Sequence, residues 1–411
     1  MTKRSQMSLL ATIAVAGLIT TACGGTSSAP GASRTAVSEP PQPASDHSTF
    51  LIGTWEQPIS SAQHPNGTNF EYWKSLGINT LVEIPQTGEL NATTAAQWDS
   101  AACAAGLSEM RQPINGDPMR DTSGRNSPCM IAWNLPDEPD LPSIPGVSMT
   151  PAAIAAEKQK DNAANPGRPV YLSLVGLRVL ASSLRPTERP YGAVLGQSDW
   201  LSADDYPVDA GRATPVQIIG RELEGLAVVG PATANRMVFI ETGHVGNRRT
   251  PITPEQMRAE IWTAVVHGAR GIVYFSDTAP AQGQGGPSTY DNTTTTAGMP
   301  AMMSSQNTLL TSLAGVLVGP RDPGSFGATA SAAAGGGPVV ETGWRTGPSG
   351  EKYVIVVNTG GAAGTVTLTF RGIAGTGSAS VVSENRTITI DSRGVASDTF
   401  APYAVHIYRL R

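Results

Sequence analysis

The side chains best suited to chemistry in this chain are carboxylates that directly follow short apolar segments. Glu138 stands in Asn-Leu-Pro-Asp-Glu-Pro, just after the segment 130–134, and Glu241 directly follows the apolar run 237–240. Cleavage of a glycosidic bond usually needs two such carboxyl groups, one as proton donor and one as nucleophile or base. The five histidines do not cluster. The sequence therefore disfavours nucleophilic triads and zinc hydrolysis, and we predict no metal and no cofactor.

Other polar and aromatic residues close the apolar segments in the same way, and we expect them to contact a substrate. In chain order they are Trp55, Glu83, Asn134, Asp137, Asp205, Tyr206, His244 and Asp277. Tyr206 is expected to hydrogen-bond the nucleophile, and Asp277 is the reserve nucleophile. Trp55 suits core packing as well as it suits stacking on a sugar ring. Pro139 disfavours the α region for Glu138, which predicts an extended turn there.

Eight short apolar or β-branched segments, bounded by Gly, Pro, Asn or Asp, have the character of strands. They are Thr49–Trp55, Thr80–Ile84, Leu107–Arg111, Met130–Asn134, Val170–Leu174, Trp200–Asp204, Met237–Ile240 and Gly271–Phe275. Such runs suit parallel strands that are buried on both faces.

Helical patterns alternate with these strands, as in a chain of βα units. Eight units predict a (β/α)₈ barrel, or TIM barrel, over residues 48–320. The third unit is the exception, because residues 115–128 have the composition of a loop; the third helix should be missing or vestigial. An open doubly wound sheet is the alternative, but no Gly-rich turn resembles a nucleotide fingerprint.

The sequence changes character after residue 320. Residues 321–338 are rich in Gly and Ala and are predicted to be a linker or surface loop. Period-two runs follow, separated by turn residues, and they predict a small C-terminal antiparallel β-sandwich over residues 321–411. The sandwich could bind glycan or cover the barrel. The lack of an aromatic cluster in its sequence favours the covering role.

The numbering of the strands gives the two carboxylates their significance, because the loops after barrel strands build the active site. The chain resembles the retaining (β/α)₈ glycoside hydrolases whose acid/base follows strand four and whose nucleophile follows strand seven. Their acid/base motif commonly reads Asn-Glu-Pro, and here it reads Asp137-Glu138-Pro139 within Trp-x-x-x-Asp-Glu-Pro. The motifs at 204–207 and 403–408 also resemble such proteins.

This resemblance implies a retaining double displacement, with Glu138 as acid/base and Glu241 as nucleophile. It implies carboxyl groups about 5–5.5 Å apart. An ionised Asp137 cannot donate the hydrogen bond that the family's Asn gives to the sugar 2-hydroxyl. The preferred sugar is therefore expected to differ from common β-glucosides and mannosides.

Other interpretations of the same residues stay open. Glu138 could lie on a surface turn, and Glu241 could pair with Arg248 or Arg249. The chain could be a surface lipoprotein that binds carbohydrate without cleaving it. It could also be an inverting hydrolase that uses Glu138 with another acid, such as Asp205.

The N-terminus has the layout of an export signal. Lys3 and Arg4 precede an apolar run, 9–19, and small residues lead to Cys23. The segment resembles a bacterial lipoprotein signal over 1–22, which implies lipidation of Cys23. An ordinary cleaved signal is the alternative. Residues 23–47 are rich in Ser, Pro, Gly and Ala and predict a flexible tether. We therefore expect an exported protein, anchored to the outer face of the cell membrane or secreted.

Charge and cysteine content limit the partners further. The formal net charge is −5 and no basic run occurs, so nucleic acid is not an expected partner. We expect a monomer that binds carbohydrate. Cys103 and Cys129 suggest one disulfide in an exported domain, with two separate buried thiols as the alternative.

Overall fold

The computed structural model describes most of the chain beyond the N-terminal segment. The described ranges are 49–61, 68–85, 91–140, 151–183, 198–245, 251–277, 291–319, 326–332, 335–373 and 377–410. The predicted signal (1–22), the lipidation site Cys23 and the predicted tether (23–47) lie outside them. Within the ranges given, no helix is both long enough and apolar enough to cross a membrane.

Eight parallel strands close into a barrel, which confirms the predicted fold. The strands are β1 (Leu51–Trp55), β2 (Thr80–Val82), β3 (Ser108–Arg111), β4 (Met130–Asn134), β5 (Val170–Val175), β6 (Trp200–Asp204), β7 (Asn235–Glu241) and β8 (Gly271–Phe275). Closure is made by β8 alongside β1, with Ile272 beside Ile52.

Helices follow the strands where the alternating pattern predicts them. They are α1 (Asn69–Ser75), α2 (Ala92–Ala104), α3 (Thr122–Asn126), α4 (Pro151–Ala164), α5 (Gly176–Ser183), α6 (Pro215–Val229), α7 (Pro254–Val266), α8 (Met299–Ser312) and α9 (Ala314–Leu317). Local sequence fixes several of their starts. Thr253 and Gln256 form a reciprocal capping box at α7, and a proline opens that helix.

The third βα unit carries only the short helix α3, in agreement with its loop-like sequence. A buried ion-pair network holds this region together. Arg111, at the end of β3, is fully buried and pairs with Asp99 of α2 at 2.7 Å and with Asp121, the N-cap of α3, at 2.6 Å. Two carboxylates offset the cost of burying one guanidinium. A disulfide between Cys103 and Cys129, with Cα atoms 5.5 Å apart, joins α2 to the approach to β4.

The strands alternate between two hydrophobic clusters, and this alternation decides which residues reach the barrel mouth. Ala132, Trp200 and Phe239 belong to the cluster that fills the barrel interior. Side chains two positions apart on a strand share a face. Asn134, Asp204 and Glu241 therefore complete the interior face at the carboxyl ends of β4, β6 and β7, so the top layer of this core is polar.

A C-terminal domain of two antiparallel sheets follows the barrel. The strands are β9 (Gly327–Ala332), β10 (Val340–Thr346), β11 (Lys352–Asn358), β12 (Gly364–Arg371), β13 (Gly377–Val381), β14 (Arg386–Ile390), β15 (Val395–Phe400) and β16 (Val405–Leu410). One sheet has the order β10-β11-β16-β13-β14 and the other β15-β12-β9. The predicted antiparallel sandwich is present.

The prediction of a linker or surface loop over residues 321–338 was wrong for its central part. Residues 327–332 form β9, which pairs with β12 from Arg371 to Val366. Small residues carry little strand preference of their own, so the sequence gave a weak signal. Pairing with the alternating strand β12 and packing of Ala328 and Ala330 supply what local preference lacks.

The sandwich packs on α7 of the barrel. Ile355 and Ile407 of the sandwich belong to the same hydrophobic cluster as Trp262 of α7. His267, which ends α7, contacts Glu224 of α6 through Nδ1 and Glu341 of β10 through Nε2, at 3.0 Å each. This face of the sandwich is thus engaged in covering the barrel.

Candidate active site

Three glutamates that follow barrel strands adopt a strained backbone. Glu56, Glu83 and Glu138 have φ values of 45°, 66° and 43°, in the left-handed region. That region costs a non-glycine residue about 1–2 kcal/mol, and such strain concentrates at functional sites. The extended turn predicted at Glu138 was therefore wrong. Pro139 disfavours the right-handed α region before it, but it does not impose an extended conformation.

Glu83 joins the ends of three strands. It is 1% exposed, and its carboxylate accepts hydrogen bonds from the backbone N–H of Ile84 at 3.1 Å, from that of Gln112 at 3.2 Å and from Asn134 Nδ2 at 3.1 Å. Burial raises the pKa of Glu83, and these hydrogen bonds act in the opposite direction. Glu83 thus braces the mouth, and its predicted contact with substrate stays a prediction.

The hydrogen bonds of Asn134 fix the orientation of its side-chain amide. Nδ2 donates to Glu83 and, at 3.3 Å, to the carbonyl of Met110. The residue is 2% exposed, and Oδ1 is left without a hydrogen-bond partner in the described part of the protein. Asn134 therefore presents a buried acceptor at the mouth.

Glu138 lies in a group of carboxyl groups that raise one another's pKa. Its own pKa is raised well above the usual range, first by burial and then by the charges of Asp204, Asp137 and Asp140, with Arg178 opposing. Burial and the charge of Glu83 raise the pKa of Asp137 to about 7. A carboxyl group in this setting keeps its proton near neutral pH, which suits a general acid.

Asp204 is the main charged neighbour of Glu138, and Tyr206 contacts it. The Tyr206 hydroxyl donates to Asp204, which lowers the pKa of that carboxyl against the larger effect of burial. The expectation that Tyr206 bonds Glu241 was therefore wrong. The reason is that the single hydroxyl proton of Tyr206 is used for Asp204, while Val208 and Asp209 of the same loop donate to the Glu241 oxygens.

Glu241 is fully buried and tied to the β6–α6 loop. Oε1 accepts from the backbone N–H of Val208 and Oε2 from that of Asp209, each at 2.7 Å. Burial raises the pKa of Glu241 to about 8, with the charges of Asp209 and Asp205 adding to it and the two backbone donors opposing. The leading charge effects on Glu241 come from Asp209 and Asp205, and those on Glu138 come from Asp204 and Asp137. The carboxyl separation of about 5–5.5 Å stays a prediction.

Two further acids interact electrostatically with Glu241, and they were not predicted from the sequence. Glu222 of α6 and Glu260 of α7 are fully buried. The carboxylate of Glu222 has no hydrogen-bond partner within the described ranges, whereas the backbone of Glu241 hydrogen-bonds Glu260. Burial raises the pKa of both. A signal was present in the sequence, because Glu260 is three positions after Met257 and four before Ala264, which places it on a buried face of its helix.

The remaining predicted residues surround these groups. Asp205 pairs with Arg212 at 3.3 Å, and His244 Nδ1 lies 4.0 Å from Asp209, with the histidine side chain 29% exposed. Asp277 is buried, and its charge helps to raise the pKa of Glu56.

The aromatic residue at the end of β1 is engaged in packing. Trp55 packs edge-on against Phe239 inside the barrel, with ring centroids 5.3 Å apart. It is 5% exposed. Across the described ranges, no group of His, Cys, Asp or Glu has the arrangement that would hold a metal ion.

Comparison with known proteins shows the fold alone. No family model and no curated protein matches the sequence. An α-amylase from Geobacillus thermoleovorans, complexed with acarbose, is similar at a TM-score of 0.53 and 9% identity over 89% of this chain and 98% of that one. A variant of AmyP in complex with maltotriose gives 0.55 and 13%, over 90% and 99%. A putative α-galactosidase from Bacteroides fragilis gives 0.51 and 11%, over 88% and 79%.

Proposed function

We propose that this protein is a glycoside hydrolase that cleaves O-glycosidic bonds of an oligo- or polysaccharide, with Glu138 as the proton donor. The observation that carries the proposal is the placing of Glu138 after β4, among carboxyl groups that keep it protonated. A protonated carboxyl at a barrel mouth can protonate a leaving oxygen. The similar structures support it, since one is an α-amylase complexed with acarbose, one is an AmyP variant in complex with maltotriose, and one is a putative α-galactosidase.

Glu241 is the nucleophile that we propose for a retaining double displacement. It lies on the interior face at the end of β7. Each Glu241 oxygen accepts one backbone hydrogen bond, from Val208 or Asp209, and keeps a second lone pair that can attack the anomeric carbon. The backbone donor to the other oxygen orients the carboxylate and favours its ionised form, against the burial that raises its pKa to about 8.

Asp204 is a second candidate for the partner carboxylate. Its charge is the largest single charge effect on Glu138, and it lies on the interior face at the end of β6. The hydroxyl of Tyr206 steadies it. In this arrangement Glu241 positions the loop instead of reacting.

Chemical rescue distinguishes the two candidates once an aryl glycoside panel has supplied a substrate. Glu138→Ala, Glu241→Ala and Asp204→Ala are assayed with and without azide, and the configuration of any glycosyl azide is read by NMR. Loss of a nucleophile is rescued with the azide opposite in configuration to the normal product, whereas loss of the acid/base gives the same configuration. Glu255→Ala, on the exposed start of α7, is the matched control.

Several outcomes would overturn parts of this proposal. Full activity of Glu138→Gln would refute the assignment of Glu138 as the proton donor, on which the proposal depends. An inverted product from the unaltered enzyme would favour Glu138 acting with another acid, such as Asp205. Glycan binding without hydrolysis by any panel substrate would favour the carbohydrate-binding alternative.

We also propose export and a lipid anchor at Cys23. The basic start, the short apolar run and the small residues before Cys23 support this. Cys23→Ala should move the protein from the membrane fraction to the soluble one and abolish palmitate labelling. Ser27→Ala is the control, and unchanged labelling of Cys23→Ala would refute the anchor.

A further inference from the structure

Six carboxyl groups meet at the barrel mouth. Burial and then the charges of Glu83, Asp137 and Asp277 raise the pKa of Glu56. Burial and then the charges of Asp204, Asp137 and the neighbouring Asp140 raise that of Glu138, so the six groups at the strand ends interact with one another. We call them the mouth carboxylates. They come from the ends of β1, β2, β4, β6 and β8, which places them around most of the opening.

Among the described residues, the cations next to these groups are few or are paired with other groups. Arg111 lowers the pKa of Glu83, but its guanidinium is shared between Asp99 and Asp121. Arg178 lowers the pKa of Glu138, and one of its nitrogens donates to the carbonyl of Asp140. The local charge is therefore strongly negative whenever the mouth carboxylates ionise.

Asn134 gives an independent indication of what this mouth is built to hold. Its Nδ2 is committed to Glu83 and Met110, so the amide cannot turn over without breaking both bonds. Its Oδ1 is the buried acceptor without a partner described above. An acceptor left unsatisfied in a buried site costs free energy that a ligand donor recovers.

We propose that the mouth binds a sugar that carries a free amino group, a hexosamine without its acetyl group, and that the ammonium is what the mouth carboxylates and Asn134 recognise. This rests on the proposed function, whose substrate class it names. An ammonium supplies three donors and a positive charge to a site made of acceptors. A neutral sugar supplies donors but leaves the carboxylates to repel one another. An acetylated amine has no charge to offer.

The test compares oligosaccharides that differ at the amino group alone. The full chain carrying Glu138→Gln, which blocks turnover, is titrated in a calorimeter with a glucosamine tetrasaccharide, with its N-acetylated counterpart and with a neutral glucose tetrasaccharide. We expect the free amine to bind at least about tenfold tighter at low salt, and this advantage to shrink as salt screens the charges. Equal or weaker binding of the free amine would overturn the proposal.

Site variants separate the mouth from the general acidity of the chain. Glu56→Gln and Asp277→Asn, each added to Glu138→Gln, should reduce the preference for the amine over the neutral tetrasaccharide about tenfold. Glu255→Gln, which removes an exposed charge that is not one of the mouth carboxylates, should leave the preference intact. If all three substitutions reduced the amine preference equally, in variants whose thermal unfolding is normal, the attraction would be non-specific and the proposed site would be refuted.

A calcium chloride titration, first without sugar and then with the amino sugar bound, tests whether the mouth carboxylates bind a metal cation instead. Stoichiometric calcium binding that displaces the amino sugar would make the group a cation site and overturn the proposal. Failure of this inference is distinguishable from failure of the proposed function. Hydrolysis of neutral glycans without amine preference leaves the function and removes the inference. Tight binding of the amine without hydrolysis by the unaltered enzyme does the reverse.

Discussion

Oε1 of Glu241 accepts a hydrogen bond from the backbone N–H of Val208 at 2.7 Å, and this contact ties the end of β7 to the loop after β6. The neighbouring N–H of Asp209 occupies the other oxygen at the same distance. Glu241 thus has a structural role in the unliganded protein whether or not it reacts. The effects of a Glu241 substitution on the stability of the protein and on catalysis can therefore be measured separately.

Glu241→Gln should destabilise the fold. The new NH₂ group faces one of the two backbone N–H donors, so one buried donor loses its acceptor, which costs about 1–3 kcal/mol. Urea unfolding measures the change, and Glu255→Gln on the exposed start of α7 should stay within about 0.5 kcal/mol of the unaltered protein. An unaltered midpoint in Glu241→Gln would contradict the described bonding.

Glu109 should make the fold less stable as the pH rises. Burial and the charge of Asp99 raise its pKa to about 8, against the ordinary value near 4.5 in the unfolded chain. The folded state therefore binds the proton more tightly, and this contribution is complete below the unfolded pKa and lost as the pH rises through about 8. Glu109→Gln should flatten the decline in unfolding free energy between about pH 5 and 8.

The control for this measurement is Glu71→Gln, which changes an exposed acid on α1. It should leave the slope of stability against pH as it is in the unaltered protein. If Glu109→Gln kept the full slope, the decline would have to come from other buried acids, such as Asp161, whose pKa burial raises to about 7.

Removal of the disulfide should cost stability without removing the fold. Cys103 and Cys129 are separated by 26 positions, and a bond that closes a loop of that size contributes about 3–4 kcal/mol through the unfolded chain. We expect Cys103→Ser with Cys129→Ser to unfold at lower urea, and the unaltered protein to match it once a reductant is added. Identical midpoints with and without reductant would contradict a disulfide in solution.

The barrel could be predicted from the sequence because strand and helix patterns are local. Each buried strand is visible as a short apolar segment. The contacts of the site could not be predicted in this way, because they join segments that are distant in the sequence. Asp204 and Tyr206 come together through the turn after β6, and Glu222 reaches the site only because α6 packs on that strand. The strained backbone of Glu138 could not be predicted either. Pro139 disfavours the right-handed α region for the residue before it, but it does not determine which of the remaining conformations that residue adopts. The weak strand β9 shows the same limit, because its partner β12 decides its state.

The contact between Gly220 and His267 gives a prediction for the attachment of the sandwich. A Cβ at Gly220 would lie 2.5 Å from His267 Cδ2, and the ring cannot easily yield because Glu224 and Glu341 hold both of its nitrogens. Although alanine favours a helix, Gly220→Ala should lower the free energy of unfolding by about 1–3 kcal/mol through overpacking. Gly377→Ala, where the added methyl meets nothing within 4 Å, is the matched control.

The pH dependence of this variant tests the cause. The two carboxylates outweigh burial and raise the pKa of His267 to about 9, so its contribution to stability is complete below about pH 6.5 and is lost as the pH rises through about 9. Gly220→Ala should displace the ring, lower the His267 pKa measured by NMR and bring the loss of stability to lower pH. A destabilised variant whose His267 still titrates near 9 would show that the methyl group strains α6 without disturbing the contact to β10.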